Sequence, residues 1–343
     1  MITRRRFTAG LLASPHILCS AASSAQELKK IVIAQPSAGF LYLPVYVARG
    51  LGLFRDEGLD VEAVIFDKGA SAALTAVLSR NAAVYVGLPA IPIQARARGQ
   101  RTKIFGGILN QCGSDIVISA EAAAKANITP EMSAHDKAAA LRGLTIAVPG
   151  AGSLTDLVVR HVAKFGGLDP ERDLTIIPIG GGSNMLAAFS QKKIDGYCLS
   201  APTSTIGIAN MGGVSLFDFV HGEYEPLRDF LYVALSARDD WLASNEATVQ
   251  KLLRAVWRAL IAMHSRPDES KAAIRPFYAA TDEAVLDRAW QGILPGFGQT
   301  LAIDAKGINR NLEFIRDARG GEIDVSLPET FTNSFVEEVR STI

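Results

Sequence analysis

Cysteine is scarce here: three residues in 343, Cys19, Cys112 and Cys198. That is too few for a disulfide framework, and no Cys/His cluster has metal-ligand spacing. The five histidines are scattered; His16 falls in the N-terminal segment, and His135, His161, His221 and His264 read as surface or core residues. A surplus of one charge is missing as well. Lys plus Arg number 35 and Asp plus Glu 35, which argues against a nucleic-acid protein. No apolar run reaches the roughly 18 residues of a membrane-spanning helix. No acid–base pair and no nucleophile beside a histidine stands out, so no catalytic residue, metal or cofactor is assigned. What is present is a 48% hydrophobic chain, long enough for two domains of ordinary size.

Residues 1–25 read as an export signal. Thr3-Arg4-Arg5-Arg6-Phe7-Thr8 is a basic block, Ala9 to Ala22 is modestly apolar, and Ser23-Ser24-Ala25 offers small residues for cleavage before Gln26. Adjacent arginines followed by Phe7 resemble a twin-arginine signal. Leu18 is too bulky for lipidation of Cys19, so a soluble periplasmic protein is expected. Cys112 and Cys198 end apolar runs and are expected as buried free thiols.

The mature chain repeats itself. "KIVIAQPSAGF" and "GLTIAVPGAGS" are each a strand ending near Pro, a small-residue turn and a helix start. Gly58-Leu59-Asp60 precedes a second strand in one half and Gly167-Leu168-Asp169 does so in the other. Gly69 and Gly180 are separated by the same interval as Leu78 and Phe189. Each half reads strand–helix–strand–helix–strand, which predicts parallel α/β sheets in two similar lobes. Phe230 to Trp241 reads as a strand leading into a helix. Beyond it, Val249, Leu252, Leu253, Val256, Trp257 and Leu260 follow helical spacing, and Trp257 and Trp290 are expected in the core.

"LTIAVPGAGSLTDLVVRHVAKFGG", Leu144 to Gly167, has the outline of a phosphate loop but not its parts. Thr155 stands where a dinucleotide fingerprint needs a small residue, and no Lys precedes a Ser or Thr as a P-loop requires. Ser153 and Asp156 form a capping-box outline that competes with any ligand. In open α/β sheets ligands bind outside the carboxyl ends of the strands. Those ends carry Gln35 to Tyr42, Lys68 to Ser71, Gly87 to Pro89, Gly150 to Thr155, Gly180 to Asn184 and Ser200 to Thr203.

"YLPVYVARGLGLFRDEGLDVE" resembles the signature of ABC-importer substrate-binding proteins of the nitrate, sulfonate, taurine and thiamine-pyrimidine-precursor group. "LRGLTIAVPGAGSLTDLVVRHVAKFGGLDPERDLTIIPIGGGSNMLAAFSQKKIDGYCLSAP" is similar to that family's second-lobe segment. The resemblance runs from about Leu28 to Val339 and weakens after Pro267. It implies an α/β, two-lobed type II periplasmic-binding-protein fold: residues 26–114 as the first part of lobe 1, 115–221 as lobe 2, and 222–343 as the return to lobe 1 with packing helices. "NQCGSD" is one crossing strand. Asn81-Ala82-Ala83-Val84 departs from the family's Gly-x-Ile-Asp-like turn, which Lys193-Ile194-Asp195-Gly196 approximates in lobe 2.

The candidate ligand contacts are Gln35, Phe40, Tyr42, Gly69, Ala70, Ser71 and Leu88 from lobe 1. From lobe 2 they are Gly152, Ser153, Thr155, Gly182, Ser183, Asn184, Ser200 and Thr203. Glycines admit close backbone approach, helix N-termini offer unpaired N–H groups, and Tyr42 offers a face for stacking. Lys68 can neutralise an anion. The resemblance implies a monomer that captures a small polar organic molecule by lobe closure and hands it to an ABC permease with its ATPase, the membrane being met only through that permease. A sulfonate- or carboxylate-like anion is favoured, and a pyrimidine-like heterocycle stays open. The alternatives are an enzyme of pyrimidine or tetrapyrrole type on the same fold, whose fungal pyrimidine-precursor members carry a cysteine motif absent here, and a ligand-binding sensor partner.

Overall fold

The computed structural model describes residues 27–66, 69–319 and 323–343. The expected export segment, with Cys19, and Lys68 lie outside the described residues. The first stretch runs β1 (Lys29–Gln35), α1 (Leu43–Gly50), α2 (Leu53–Asp56), β2 (Leu59–Ile65), α3 (Ala70–Leu78), β3 (Val84–Gly87), α4 (Ala90–Ala97) and β4 (Thr102–Leu109). The second runs β5 (Ser114–Ser119), α5 (Ala120–Lys125), α6 (Ala134–Ala139), β6 (Thr145–Val148), α7 (Leu154–Phe165), β7 (Thr175–Pro178), α8 (Gly182–Ser190), β8 (Gly196–Ser200), α9 (Thr203–Met211) and β9 (Gly213–Ser215). The chain then makes β10 (Val233–Arg238), followed among the described residues by α10 (Asp239–Ser244), α11 (Glu246–Ser265), α12 (Pro267–Ile274), α13 (Glu283–Ile293), α14 (Ala305–Arg319), α15 (Leu327–Thr330) and α16 (Ser334–Arg340).

The strands form two five-stranded sheets, β2-β1-β3-β10-β4 and β7-β6-β8-β5-β9. The two orders are the same pattern. Three parallel strands come first, then an antiparallel strand that is the first one after a crossing between sheets. Parallel strands covered on both faces carry continuous apolar runs; all of β3 is buried, as are Ile146, Ala147 and Val148 of β6. The equivalence reaches the register, with Ala34 opposite Tyr85 and Ala147 opposite Tyr197.

The glycine-rich signature after β1 is architectural. A Cβ on Gly50 would lie 2.2 Å from the Ala273 carbonyl oxygen, so a bare Cα lets α1 press against α12. Gly52 and Gly58 turn the chain with φ near +74°, a region where L side chains are strained. The apolar stripe of α11 lies in the core: Val249, Leu252, Leu253, Val256 and Leu260 are fully buried. Trp257 and Trp290 are buried too, and the Trp257 indole N–H donates to the Gln299 carbonyl at 2.9 Å. Cys112 and Cys198 are buried and free; burial pushes the Cys112 thiol up to about 12, which removes its reactivity at neutral pH. No helix among the described residues is long and apolar enough to cross a membrane.

Candidate functional site in the crevice between the sheets

The crossings decide which ends of the sheets meet. β4 stops at Leu109, and residues 110–113 lead to Ser114, which pairs with Ser200 at the end of β8. On the way back, Val233 of β10 sits beside Leu109 and Ala234 beside Gly87 at the end of β3. Both crossings therefore pass the carboxyl ends of the parallel strands, and those ends face each other. Tyr232 donates to Ser114 Oγ at 2.7 Å and ties one crossing to the other. Across the crevice the Phe40 N–H donates to the Ala201 carbonyl at 2.9 Å. A Cβ on Gly39 would lie 2.8 Å from Ser200 Oγ.

On the first wall, Gln35 ends β1 fully buried. Its Nε2 donates to the Ser37 carbonyl at 2.9 Å and to the Tyr46 hydroxyl, while its Oε1 has no partner among the described residues. Phe40 is fully buried edge-on to Tyr278, ring centroids 4.9 Å apart. Tyr42 is 3% exposed and Leu88 is 2% exposed. The Tyr42 ring is enclosed, and burial drives its hydroxyl pKa upward, partly offset by the Ser37 hydrogen bond. Gly69, Ala70 and Ser71 behave differently. Gly69 is the N-cap of α3 at φ +87°, no side chain caps this helix, and Ser71 is exposed on its first turn.

On the second wall, α8 starts in the same way. Gly181 is its N-cap without a side-chain cap, and Ser183 is exposed. Asn184 turns back, its Nδ2 donating to the Ile179 carbonyl at 2.9 Å. A Cβ on Gly182 would lie 2.4 Å from Thr203 Oγ1, so this glycine admits the first residue of α9. The Thr203 carbonyl accepts from the Tyr197 hydroxyl at 3.0 Å, and Ser200 is 6% exposed.

The start of α7, which looked most like a phosphate loop, satisfies itself. Ser153 Oγ accepts from the Asp156 N–H at 3.3 Å, and Asp156 accepts from the Gly152 N–H at 2.6 Å and from Arg160 at 2.8 Å. Thr155 is buried, its Oγ1 3.3 Å from Ser153 Oγ. A buried carboxylate thus occupies the place an anion would take. By contrast α3 and α8, which follow β2 and β7, have no side-chain cap at their N-termini among the described residues. Gly39 and Ala201, within the strand-end stretches, and Ser114 and Tyr232, on the two crossings, were not among the candidate contacts. Among the described residues no group of three or more His, Cys, Asp and Glu is placed to hold a metal.

Residues 40–275 match the NMT1-like family. The chain belongs to the NMT1-like family. A curated relative, "Putative binding protein YtlA" of Bacillus subtilis (strain 168), is 24% identical over 275 residues, 78% of this chain and 76% of that one. A solved structure from Bordetella bronchiseptica RB50 superimposes with a TM-score of 0.79 at 24% identity, covering 92% of this chain and 98% of the other. The alkanesulfonate-binding protein SsuA from Xanthomonas axonopodis pv. citri, bound to MOPS, gives 0.69 at 16% identity, covering 90% and 100%. These likenesses establish the type II periplasmic-binding fold. In this NMT1-like chain the uncapped starts of α3 and α8 offer backbone N–H donors suited to an acceptor oxygen.

Proposed function

We propose that this NMT1-like protein is the exported solute-binding component of an ABC importer, and that it captures a small organic anion between its lobes. The observation that carries the reading is the pair of glycine-capped helix starts, α3 and α8, each without a side-chain cap among the described residues; on this reading they face one crevice. An anion with several oxygens, such as a sulfonate or carboxylate, uses donors from both walls at once. SsuA, a structural neighbour, is described as bound to MOPS, which agrees with this chemistry. With Tyr42 enclosed, a heterocycle loses the aromatic partner that favoured it.

On this reading residues 26–114 and 222–343 make one lobe and 115–221 the other. The hinge is the Ser114–Tyr232 junction. Contacts to both walls exist only when the lobes approach, so the ligand favours the closed state by that difference in affinity. A permease with its ATPase is the partner, the mature protein works as a periplasmic monomer, and the solute leaves chemically unchanged. A thermal-shift screen with alkanesulfonates, carboxylates, nitrate and pyrimidines tests this, since a ligand selective for the native state raises the melting temperature. The expected outcome is a rise with an anion, and recovery of that anion intact from the denatured complex. A hit confined to pyrimidines, or turnover of the hit, overturns the proposal.

A further inference from the structure

Behind the hinge lies a cavity of ≈ 480 Å³ that none of the fifteen sequence-derived residues lines. Its walls come from both sides of the crossing. α13 supplies Arg288 and Ile293, while β5, α9 and β9 supply Asp115, Ile208 and Val214. Small-molecule sites run about 300–1,000 Å³ and combine apolar walls with a few placed polar groups. The charges in this one are unevenly matched. Lys137, itself buried, pairs with Glu223, and His221 pairs with Asp218 at 2.7 Å. Asp115, half-buried on β5, and Arg288, exposed on α13, make no ion pair among the described residues. Burial raises the Asp115 carboxyl to about 6, against a smaller downward pull from the fully buried Ser204 hydroxyl. At neutral pH the group is therefore ionised inside a largely apolar recess.

We propose that this cavity is a second ligand site, for a small zwitterion with an apolar body, of the amino-acid type. The ammonium meets Asp115, the carboxylate meets Arg288, and the side chain lies against Ile208, Val214 and Ile293. Asp115 is half-buried, and a carboxylate so placed without a counter-ion is costly; an ammonium arriving with its own apolar body both pairs it and fills the recess. Arg288 gives the opposite end a fork of donors suited to a carboxylate. Because the ligand touches both walls behind the hinge, its affinity depends on the lobe angle. It is therefore linked to whatever binds in front, with equal and reciprocal coupling.

The site does not rest on the solute-capture reading and is tested apart from it. Titration calorimetry is run with L-valine, L-leucine and L-phenylalanine, with butylamine and isovalerate as half-ligands, up to about 10 mM, the weak end of measurable binding. At least one amino acid is expected to bind, with each half-ligand about tenfold weaker or more, as for loss of a charge-assisted hydrogen bond. Asp115→Asn and Arg288→Gln are each expected to weaken that amino acid by about tenfold or more while keeping a cooperative melt. Absence of heat from all three amino acids overturns the site. So does binding untouched by both substitutions, or binding lost in Ser183→Asp and kept in the other two variants, which moves the ligand to the front crevice.

Discussion

A methyl group on Gly182 would lie 2.4 Å from Thr203 Oγ1 and 3.1 Å from its Cγ2. The clash is with a side chain, so its relief is specific. Gly182→Ala should cost about 1–3 kcal/mol, the usual range for overpacking. Adding Thr203→Ala should return most of that, giving a coupling energy well outside additivity. Urea melts of the four proteins measure it, and simple addition of the two single costs contradicts the packing described. Two other residues set opposite pH slopes. Asp115 has its carboxyl raised by burial from 3.8 to about 6, with the Asp218 charge adding to the rise. The native state therefore holds this proton longer than the unfolded chain, and stability falls as pH rises between those values. The other charged groups around it are Lys137, His221, Glu223 and Arg288. Asp115→Asn should flatten that slope and leave the protein more stable above pH 7, by roughly 1–2 kcal/mol after screening. His161 is the converse. Burial holds its pKa below 6.5, against the pull of Asp317, and its Nε2 has no partner among the described residues. The unfolded chain takes the proton first, so this contribution to stability is lost as pH falls below about 6.5. Melting temperature against pH for the wild type, Asp115→Asn and His161→Asn separates the two, and a slope unchanged in both variants refutes the assignment.

At the scale of elements, three helix starts that look alike in sequence do different things. α7 is closed by its own Ser153 and Asp156, whereas α3 and α8 have only glycine at the cap. Placing a carboxylate on an uncapped start separates stability from binding. Ser183→Asp should raise helix stability by about 0.3–1 kcal/mol through the dipole, yet weaken an anionic ligand by about tenfold or more through repulsion and competition for the same donors. Ser71→Asp should do the same on the other wall. Melts and ligand titrations together decide; a variant that gains stability and keeps its affinity shows that its helix start does not face the anion. This contrast also marks how far the sequence could be read. The repeat of strand, turn and helix foretold both sheets, because turn glycines and apolar runs are local signals. The Ser153–Asp156 cap was legible for the same reason. The enclosure of Phe40 and Tyr42 was not, since it depends on Tyr278, more than two hundred residues later. The cavity behind the hinge was equally hidden, because Asp115 and Arg288 come to line one recess only once α13 has returned along the crossing.

For the molecule as a whole, the two sheets share a strand order and each takes its antiparallel strand straight after a crossing; on the proposed reading one lobe turns against the other about the Ser114–Tyr232 junction. The Tyr232 hydroxyl on Ser114 Oγ is buried there at 2.7 Å, and it joins the outgoing strand to the returning one. An anion gripped by α3 and α8 should draw the outer ends of these helices together. Labels at Arg80 and Gln191, exposed residues just beyond α3 and α8, report that distance by electron-spin or fluorescence methods. The expected result is a shorter, narrower distribution with the front ligand. A zwitterion bound behind the hinge should shift the same distribution, in a direction that matches its effect on front-ligand affinity, because linkage makes the two couplings equal. Tyr232→Phe removes one buried hydrogen bond and leaves Ser114 unpaired, a cost of about 1–3 kcal/mol if the partner stays dry. If the bond survives closure, that cost falls equally on the open and closed states, and the variant melts earlier with unchanged affinity. If the bond exists only at one lobe angle, the variant changes affinity as well, and the change must appear as a shift in the unliganded distance distribution. Altered affinity without that shift would mean that the lobes do not pivot at this junction.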